Sequence, residues 1–421
     1  MTTPLPSFLG ADYERLAAKY RPVIERIRAS ALQREQQRQL GHDAIGWLKE
    51  ARFGAVRVPV EFGGDGATLP QLFQLLIELG EADSNVVQAL RGHFAFVEDR
   101  LNAPRDAANA VWLRRFAAGD LVGNAWTEVG DVAIGQVITR VAQQPDGRWV
   151  VNGRKFYSTG CIFADWIDLF AQRDGPGDGD GLDVIAAVRA QQEGVTHHDD
   201  WDGFGQRTTG SGTSVYENAE VEEENIFPFE GRFKYQTAFY QLFHLATLAG
   251  IARAATRDLA QQVRERKRVF STGNASSVAQ DVQVQQVVGE VAAAAYAAEA
   301  TAVRAAFAAQ RAYDAHWQGS AEEEKQANIE AELESALGQV AISELVLRAT
   351  TQIFNALGAS AASSSKALDR HWRNARTVAS HNPLIYKARI VGDWHVNGTE
   401  PPYVWQIGAG QRTEAPAQAS A

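Results

Sequence analysis

The chain holds one cysteine, one methionine and no long apolar run among its 421 residues. A single thiol, Cys161, cannot close an intramolecular disulfide and cannot supply a multi-cysteine zinc ribbon. A lone thiol fits a reducing compartment, so a cytoplasmic protein is expected. No stretch approaches the roughly 20 apolar residues of a membrane span. The first residues, MTTPLPSFLGADYERL, lack a basic segment followed by an apolar one, and no secretory signal is expected. Cations are outnumbered: 41 Lys and Arg against 51 Asp and Glu give a net charge of -10. That balance argues against nucleic acid or an anionic membrane as partner.

Several motifs are missing as well. No G-x-G-x-x-G follows a strand and no G-x-x-x-x-G-K-[ST] occurs, so neither a dinucleotide fold nor a P-loop is indicated. H-E-x-x-H and G-x-S-x-G are absent. The Gly/Asp run from Asp174 to Gly181 lacks the closing glutamate of a calcium loop and reads as a hairpin tip. No metal is expected.

What is present falls into three regions with different periods. Residues 1–119 repeat apolar positions every three or four residues, as in ADYERLAAKYRPVIERIRASALQREQQRQ, HDAIGWLKEARFG, LPQLFQLLIELGEAD and NVVQALRGHFAFVEDRLN. Residues 120–230 alternate with period two. QVITRVAQQPDGRWVVNGRKFYSTG reads as three strands joined by Pro-Asp-Gly and Asn-Gly turns, and WIDLFAQRDGPGDGDGLDVIAAVRA as a second hairpin. Residues 231–410 return to helix in three pieces of about 35 residues. A fourth helix, SKALDRHWRNARTVAS, follows the Ser363–Ser365 cluster, which resembles a cap. A mostly α, α+β protein is expected: a helical N-terminal domain, a small antiparallel sheet or barrel, and a four-helix bundle. The polar tail, 411–421, is expected to be disordered.

The segments VPVEFGG (58–64), NAWTE (124–128), WVVNGRKFYSTGCIFAD (149–165), GFGQRTTGSGTSVYENAEVEEENIF (203–227) and RVFS (268–271) resemble the acyl-CoA dehydrogenase superfamily in order and spacing. That resemblance implies a helical domain, a β-barrel and a four-helix bundle, assembled as a homotetramer with flavin between barrel and bundle. Dehydrogenases of the family remove an α-proton with a glutamate, placed after the last conserved helix or on the first bundle helix. Here those positions fall at Ala379–Pro383 and near Tyr240, and neither offers a carboxylate. Without that base, dehydrogenation of a thioester lacks a proton acceptor.

HWRNARTVASHNP, within Arg370–Lys387, and the histidine of RGHFAFVEDRL instead resemble the family's flavin monooxygenase branch, typified by dibenzothiophene monooxygenase. This implies a two-component enzyme that takes reduced FMN, or alternatively FAD, from a separate NAD(P)H:flavin reductase. It would use O2 through a C4a-hydroperoxyflavin to oxidise the sulfur of an organosulfur compound. The alternatives are N- or C-hydroxylation of an indole, amine or amino sugar, an acyl-CoA dehydrogenase with a displaced base, and an idle flavin-binding or structural oligomer.

The resemblance also implies roles. His381 and His93 would flank the reacting oxygen, with Asn382 positioning His381 and Ser158 stabilising the hydroperoxide. Asn124, Thr127, Tyr157, Ser158, Thr159, Trp201 and Ser211 would line the flavin, joined by Gln352. Arg268 and Phe270 would hold its phosphate from a neighbouring subunit. Each has a plainer reading: a helix C-cap for His381 and Asn382, a core histidine for His93, and turn chemistry for Ser158 and Ser211. For Arg268 it is a basic helix end favoured by the macrodipole.

Overall fold

The structure, a computed structural model, describes residues 8–175, 181–404 and 408; most of the Gly/Asp hairpin tip and the 411–421 tail lie outside them. Six helices come first: α1 (Gly10–Gln37), α2 (His42–Glu50), α3 (Leu69–Ala82), α4 (Ser84–Ala89), α5 (Arg91–Asn102) and α6 (Ala107–Ala118). Thr68 and Gln71 form a capping box that starts α3, and Asp83 caps α4. The single helix expected over NVVQALRGHF is broken at Leu90 into α4 and α5.

Eight strands follow: β1 (Val122–Ala125), β2 (Arg140–Gln143), β3 (Trp149–Lys155), β4 (Trp166–Asp174), β5 (Asp183–Arg189), β6 (Val195–His197), β7 (Ser214–Val221) and β8 (Ile226–Pro228). They form one sheet in the order β6-β7-β3-β2-β4-β5-β8, with β1 beside β4. The antiparallel barrel expected from the sequence is corrected on two counts. Both β1 and β2 pair with β4 in parallel, so the sheet is mixed, and its strand path is open.

Asn152-Gly153 is not a turn either. It lies inside β3, where the register against β7 shifts, and a Cβ at Gly153 would meet Thr139 Oγ1 at 2.5 Å. The glycine answers a close approach rather than a reversal.

The last region has three long helices, α7 (Gln236–Glu265), α8 (Val282–Gln318) and α9 (Ala321–Gln352), then two short ones, α10 (Asp369–Ala379) and α11 (Leu384–Asn397). The expected four-helix count is therefore corrected to three long helices and two short ones. Residues Ser363–Ser365 do not cap α10, which begins at Asp369; their hydroxyls bond each other instead. Ser320 and Glu323 form the capping box that starts α9. A shared core runs from α1 and α3 through α7 to α8 and α9, with Phe73, Phe94, Phe239 and Phe243 at its centre. A second cluster, Phe96, Trp112, Phe116 and Trp166, ties α5 and α6 to the sheet. Among the described residues no helix is long and apolar enough to cross a membrane.

Candidate active site

Three elements converge where α5 meets the sheet and α7. The first residues of α5 lie hard against β1: a Cβ on Gly92 would stand 2.5 Å from Asn124 Cβ. The Ser158–Gly160 turn after β3 closes on the same place. Asn124 N–H donates to Thr159 O (3.1 Å), and a Cβ on Gly160 would meet Ala89 O at 2.2 Å. Gly160 also has φ +79°, a second reason for glycine there.

This wall collects most of the expected flavin-lining residues. Asn124 is buried, and its side-chain amide makes no hydrogen bond to the described protein. Ser158 is buried, its N–H donating to Gly212 O (2.9 Å) and its hydroxyl to Lys155 O (3.4 Å). Thr159, Ser211 and Thr209 form a hydroxyl chain, with oxygens 2.9 and 2.7 Å apart. Exposed Thr127 accepts from Phe156 N–H (3.1 Å) through its carbonyl. The buried Lys155 ammonium, its pKa pushed down to about 8 by burial, donates to Trp126 O and Glu128 and pins this segment to β3.

Aromatics stand beside the wall. Tyr157 meets Trp201 edge-on at 5.6 Å, and Trp201 is fixed by its indole N–H donating to Gly205 O (3.1 Å). Phe204 stacks on Trp372 of α10 at 5.9 Å. The 201–213 loop is anchored behind by Gln206 N–H donating to Asn374 Oδ1 and by its amide donating to Ser84.

The opposing side comes from α7 and the turn after α10. Tyr240 and His244, one helical turn apart, share a face of α7. The His381 ring lies 4.2 Å from that of His244. Asn382 is held on both sides: its amide donates to Gln241 Oε1 (2.8 Å) and its carbonyl accepts from Gln339 (2.8 Å). It therefore fixes the turn that presents His381. Arg91 reaches in from α5, with Cζ 5.0 Å from the Tyr240 ring centre.

Burial and the Arg91 guanidinium both push His381 and His244 below the ordinary imidazole range, with His381 beside His244 as well. His381 itself is exposed on one side, so the Arg91 charge and the adjoining His244 ring, more than burial, favour its neutral form. Both rings are neutral near pH 7 and can exchange a proton only at nitrogen.

The two positions where the dehydrogenases carry their base, near 240 and 379–383, thus lie side by side. Tyr240, His244 and His381 occupy them, and no carboxylate does among the described residues. The neighbouring Asp168 accepts from Arg232 (3.4 Å) and the Trp126 indole (3.1 Å) at Oδ1 only, and its enclosed Oδ2 has no partner.

His93 does not join them. Its Nε2–H donates to Gly54 O (2.9 Å), and its Nδ1 accepts from Val122 N–H (3.3 Å). With both nitrogens occupied and 0% exposure, no atom is left for a reacting oxygen. His93 ties α5 to β1 as a core histidine. Burial pushes its pKa down to about 4. A folded-state value below the ordinary 6.5 stabilises the fold fully above pH 6.5 and progressively less as pH falls toward 4. The loss from this residue is on the order of 3 kcal/mol. Urea midpoints from pH 7.5 to 4.5 should fall steeply in the wild type and less so in His93→Gln; equal slopes would refute this.

Arg268, Phe270 and Gln352 lie elsewhere in the chain. Arg268 lies beyond the far end of α7, whose last residue, Glu265, is roughly 32 Å along the helix from His244 at about 1.5 Å per residue. Phe270 is 64% exposed beside Arg266 and Gly358. Gln352 ends α9, its amide 3.5 Å from Glu290. One chain cannot bring these to the site.

A separate cavity of about 460 Å³ lies behind α4 and α10. Several of its charges pair: Asp258 takes Arg370 and His371, and Glu81 takes Arg253 and Arg257. It is a structural ion network.

Arg91, His244, Gln241 and Gln339 escape the sequence reading. The four-residue spacing of Tyr240 and His244 was a usable signal for His244; the other three became visible only through their tertiary partners, or the lack of them.

The mostly helical chain with its one mixed sheet has an acyl-CoA dehydrogenase-like fold, as the likeness to known proteins shows. Residues 242–384 match the family "Acyl-CoA dehydrogenase, C-terminal domain". The chain is 27% identical to the probable FMNH2-dependent monooxygenase SfnC of Pseudomonas putida, covering 84% of this chain and 88% of that protein. It is also 27% identical to the dibenzothiophene monooxygenase of Mycolicibacterium goodii, covering 90% and 91%. Among solved structures it resembles FMN-bound TdsC from Paenibacillus sp. A11-2, with TM-score 0.82, 25% identity and 92% and 98% of the two chains covered.

Proposed function

We propose that the chain is the oxygenase component of a two-component monooxygenase that uses reduced FMN and O2 to oxidise the sulfur of a small organosulfur compound. One observation carries this most directly: the two base positions of a dehydrogenase lie together, and among the described residues they hold imidazoles and a phenol in place of a carboxylate. Relatives described as FMNH2-dependent, and the FMN-bound neighbour, support the cofactor.

The donor set fits a flavin. The free Asn124 amide, the Ser158 turn and the Thr159–Ser211–Thr209 hydroxyls would bond a heteroaromatic edge, and the exposed Tyr157 with the half-buried Trp201 would supply a flat apolar side. When bound, reduced FMN supplies the two electrons that split O2, one oxygen atom passing to substrate and the other to water.

The chain's own residues do the rest. Asn124, Thr127 and Ser158 orient the ring edge, and Tyr157 and Trp201 exclude water from it. His381, neutral and held by the Asn382 turn, exchanges a proton at its nitrogen beside the reacting oxygen. A separate NAD(P)H:flavin reductase delivers the reduced cofactor, and the reaction is cytoplasmic.

Arg268, Phe270 and Gln352 serve the cofactor of a neighbouring subunit in a homotetramer, because a single chain holds them too far away. The same reading divides the chain at about 119/120 and 230/231, where helices give way to strands and strands to helices.

Mixing the protein with photoreduced FMN and aerated buffer should delay flavin reoxidation and produce a transient absorbance distinct from both flavin forms. Reoxidation at the rate of free FMN would refute the proposal.

A further inference from the structure

Five arginines are deeply buried among the described residues, and four face a carboxylate: Arg34 with Asp83, Arg57 with Glu98, Arg100 with Asp99, and Arg232 with Asp168. Arg91 is the exception. It is 8% exposed, makes no hydrogen bond or ion pair among the described residues, and its Nε is enclosed without a partner. Its one contact of note is the face of Tyr240. Leaving a guanidinium buried without a counter-charge costs several kcal/mol.

Two more enclosed polar atoms lack partners beside it, Tyr240 Oη and His244 Nε2. All three belong to the site, and Arg91 adjoins the Gly92–Asn124 contact at its flavin-lining wall.

We propose that Arg91, with the Tyr240 hydroxyl and His244, forms an anion-recognising subsite, and that the substrate carries a carboxylate, sulfinate or sulfonate docked there. This rests on the oxygenase reading and narrows its substrate class. A guanidinium meets such a group through two parallel N–H donors, and Tyr240 supplies a third. Arg91 supplies the positive charge of the subsite, and Lys387, set against Glu332, also acts on His244, so an anion is favoured over a neutral thiophene of similar size. Docking the anion on Arg91 fixes which end of the substrate faces the Asn124–Ser158 wall.

Benzenesulfinate and neutral methyl phenyl sulfone are matched probes. Binding to the full chain loaded with oxidised FMN can be followed by calorimetry and by the fluorescence of Trp126, whose ring lies 5.3 Å from Tyr240. The wild type should bind the sulfinate roughly 10- to 100-fold more tightly than the sulfone. Arg91→Gln should erase that preference and Arg91→Lys restore part of it, with circular dichroism confirming the fold of each. Equal affinity of the wild type for both probes would overturn the subsite, as would an unchanged preference in Arg91→Gln.

The reoxidation delay separates this from the parent reading. If Arg91→Gln loses the delay but keeps the sulfinate preference, Arg91 serves the flavin and the proposal fails alone. If the wild type prefers the sulfinate yet shows no delay, the oxygenase reading fails and the substrate assignment goes with it.

Discussion

His381→Ala should lower the yield of oxidised product by roughly 10²- to 10⁴-fold, the usual range for loss of a positioned acid–base group. Oxygen consumption should continue, with reduced FMN and O2 now ending as oxidised FMN and hydrogen peroxide. The ring can be removed without collapsing its support, because Asn382 remains anchored to Gln241 and Gln339. His244 cannot substitute: it is 1% exposed and held more deeply on α7. Product and peroxide, each measured per reduced FMN consumed, should trade places between wild type and variant. An unchanged product share would remove His381 from the chemistry.

The second large effect concerns stability. Glu98 is fully buried and accepts from Arg57 Nε (3.1 Å), Arg57 Nη2 (3.3 Å) and Tyr235 Oη (2.6 Å). Arg57 also donates to Ala67 O (2.9 Å) and stacks on Tyr313 at 4.4 Å. The cluster joins α5, the 53–67 segment, the approach to α7 and α8. Glu98→Gln leaves the guanidinium enclosed without its counter-charge and should cost about 3–5 kcal/mol. Arg57→Met combined with Glu98→Leu should recover part of that, since no charge then stays buried. Denaturant midpoints at one fixed protein concentration test both. A Glu98→Gln variant within about 1 kcal/mol of wild type would contradict the cost of an unpaired buried charge.

Helices were the most legible feature of the sequence. α7, α8 and α9 announce themselves by period, and the Pro-Asp-Gly turn before β3 by composition. Asn152-Gly153 carries the same turn signature, yet the approach of Thr139 decides its fate, and no local pattern reports a contact with another strand. The parallel pairing of β1 and β2 with β4 is hidden for the same reason. α11 went unread although it carries Leu384, Ile390, Val391 and Trp394 at helical spacing; in the fold Lys387 is its one buried residue.

At the site, His381 stood out because its stretch combines a basic amphipathic helix with a proline-fixed turn. His93 stood out equally and turned out to be satisfied by two backbone groups. Which histidine has a free nitrogen, and which arginine lacks a carboxylate, depends on the whole fold around each side chain. Arg91, two residues from His93, illustrates how little one-dimensional order says about this.

The missing methyl at residue 92 sets what can vary in this architecture. Helix and strand touch there with no room for another carbon, so the floor under Asn124 and the Ser158–Gly160 turn has little freedom to move. Variation in substrate size must then come from the opposite rim, through α7 side chains and the turn after α10. An engineer wishing to admit bulkier molecules should begin on that rim and leave the floor untouched.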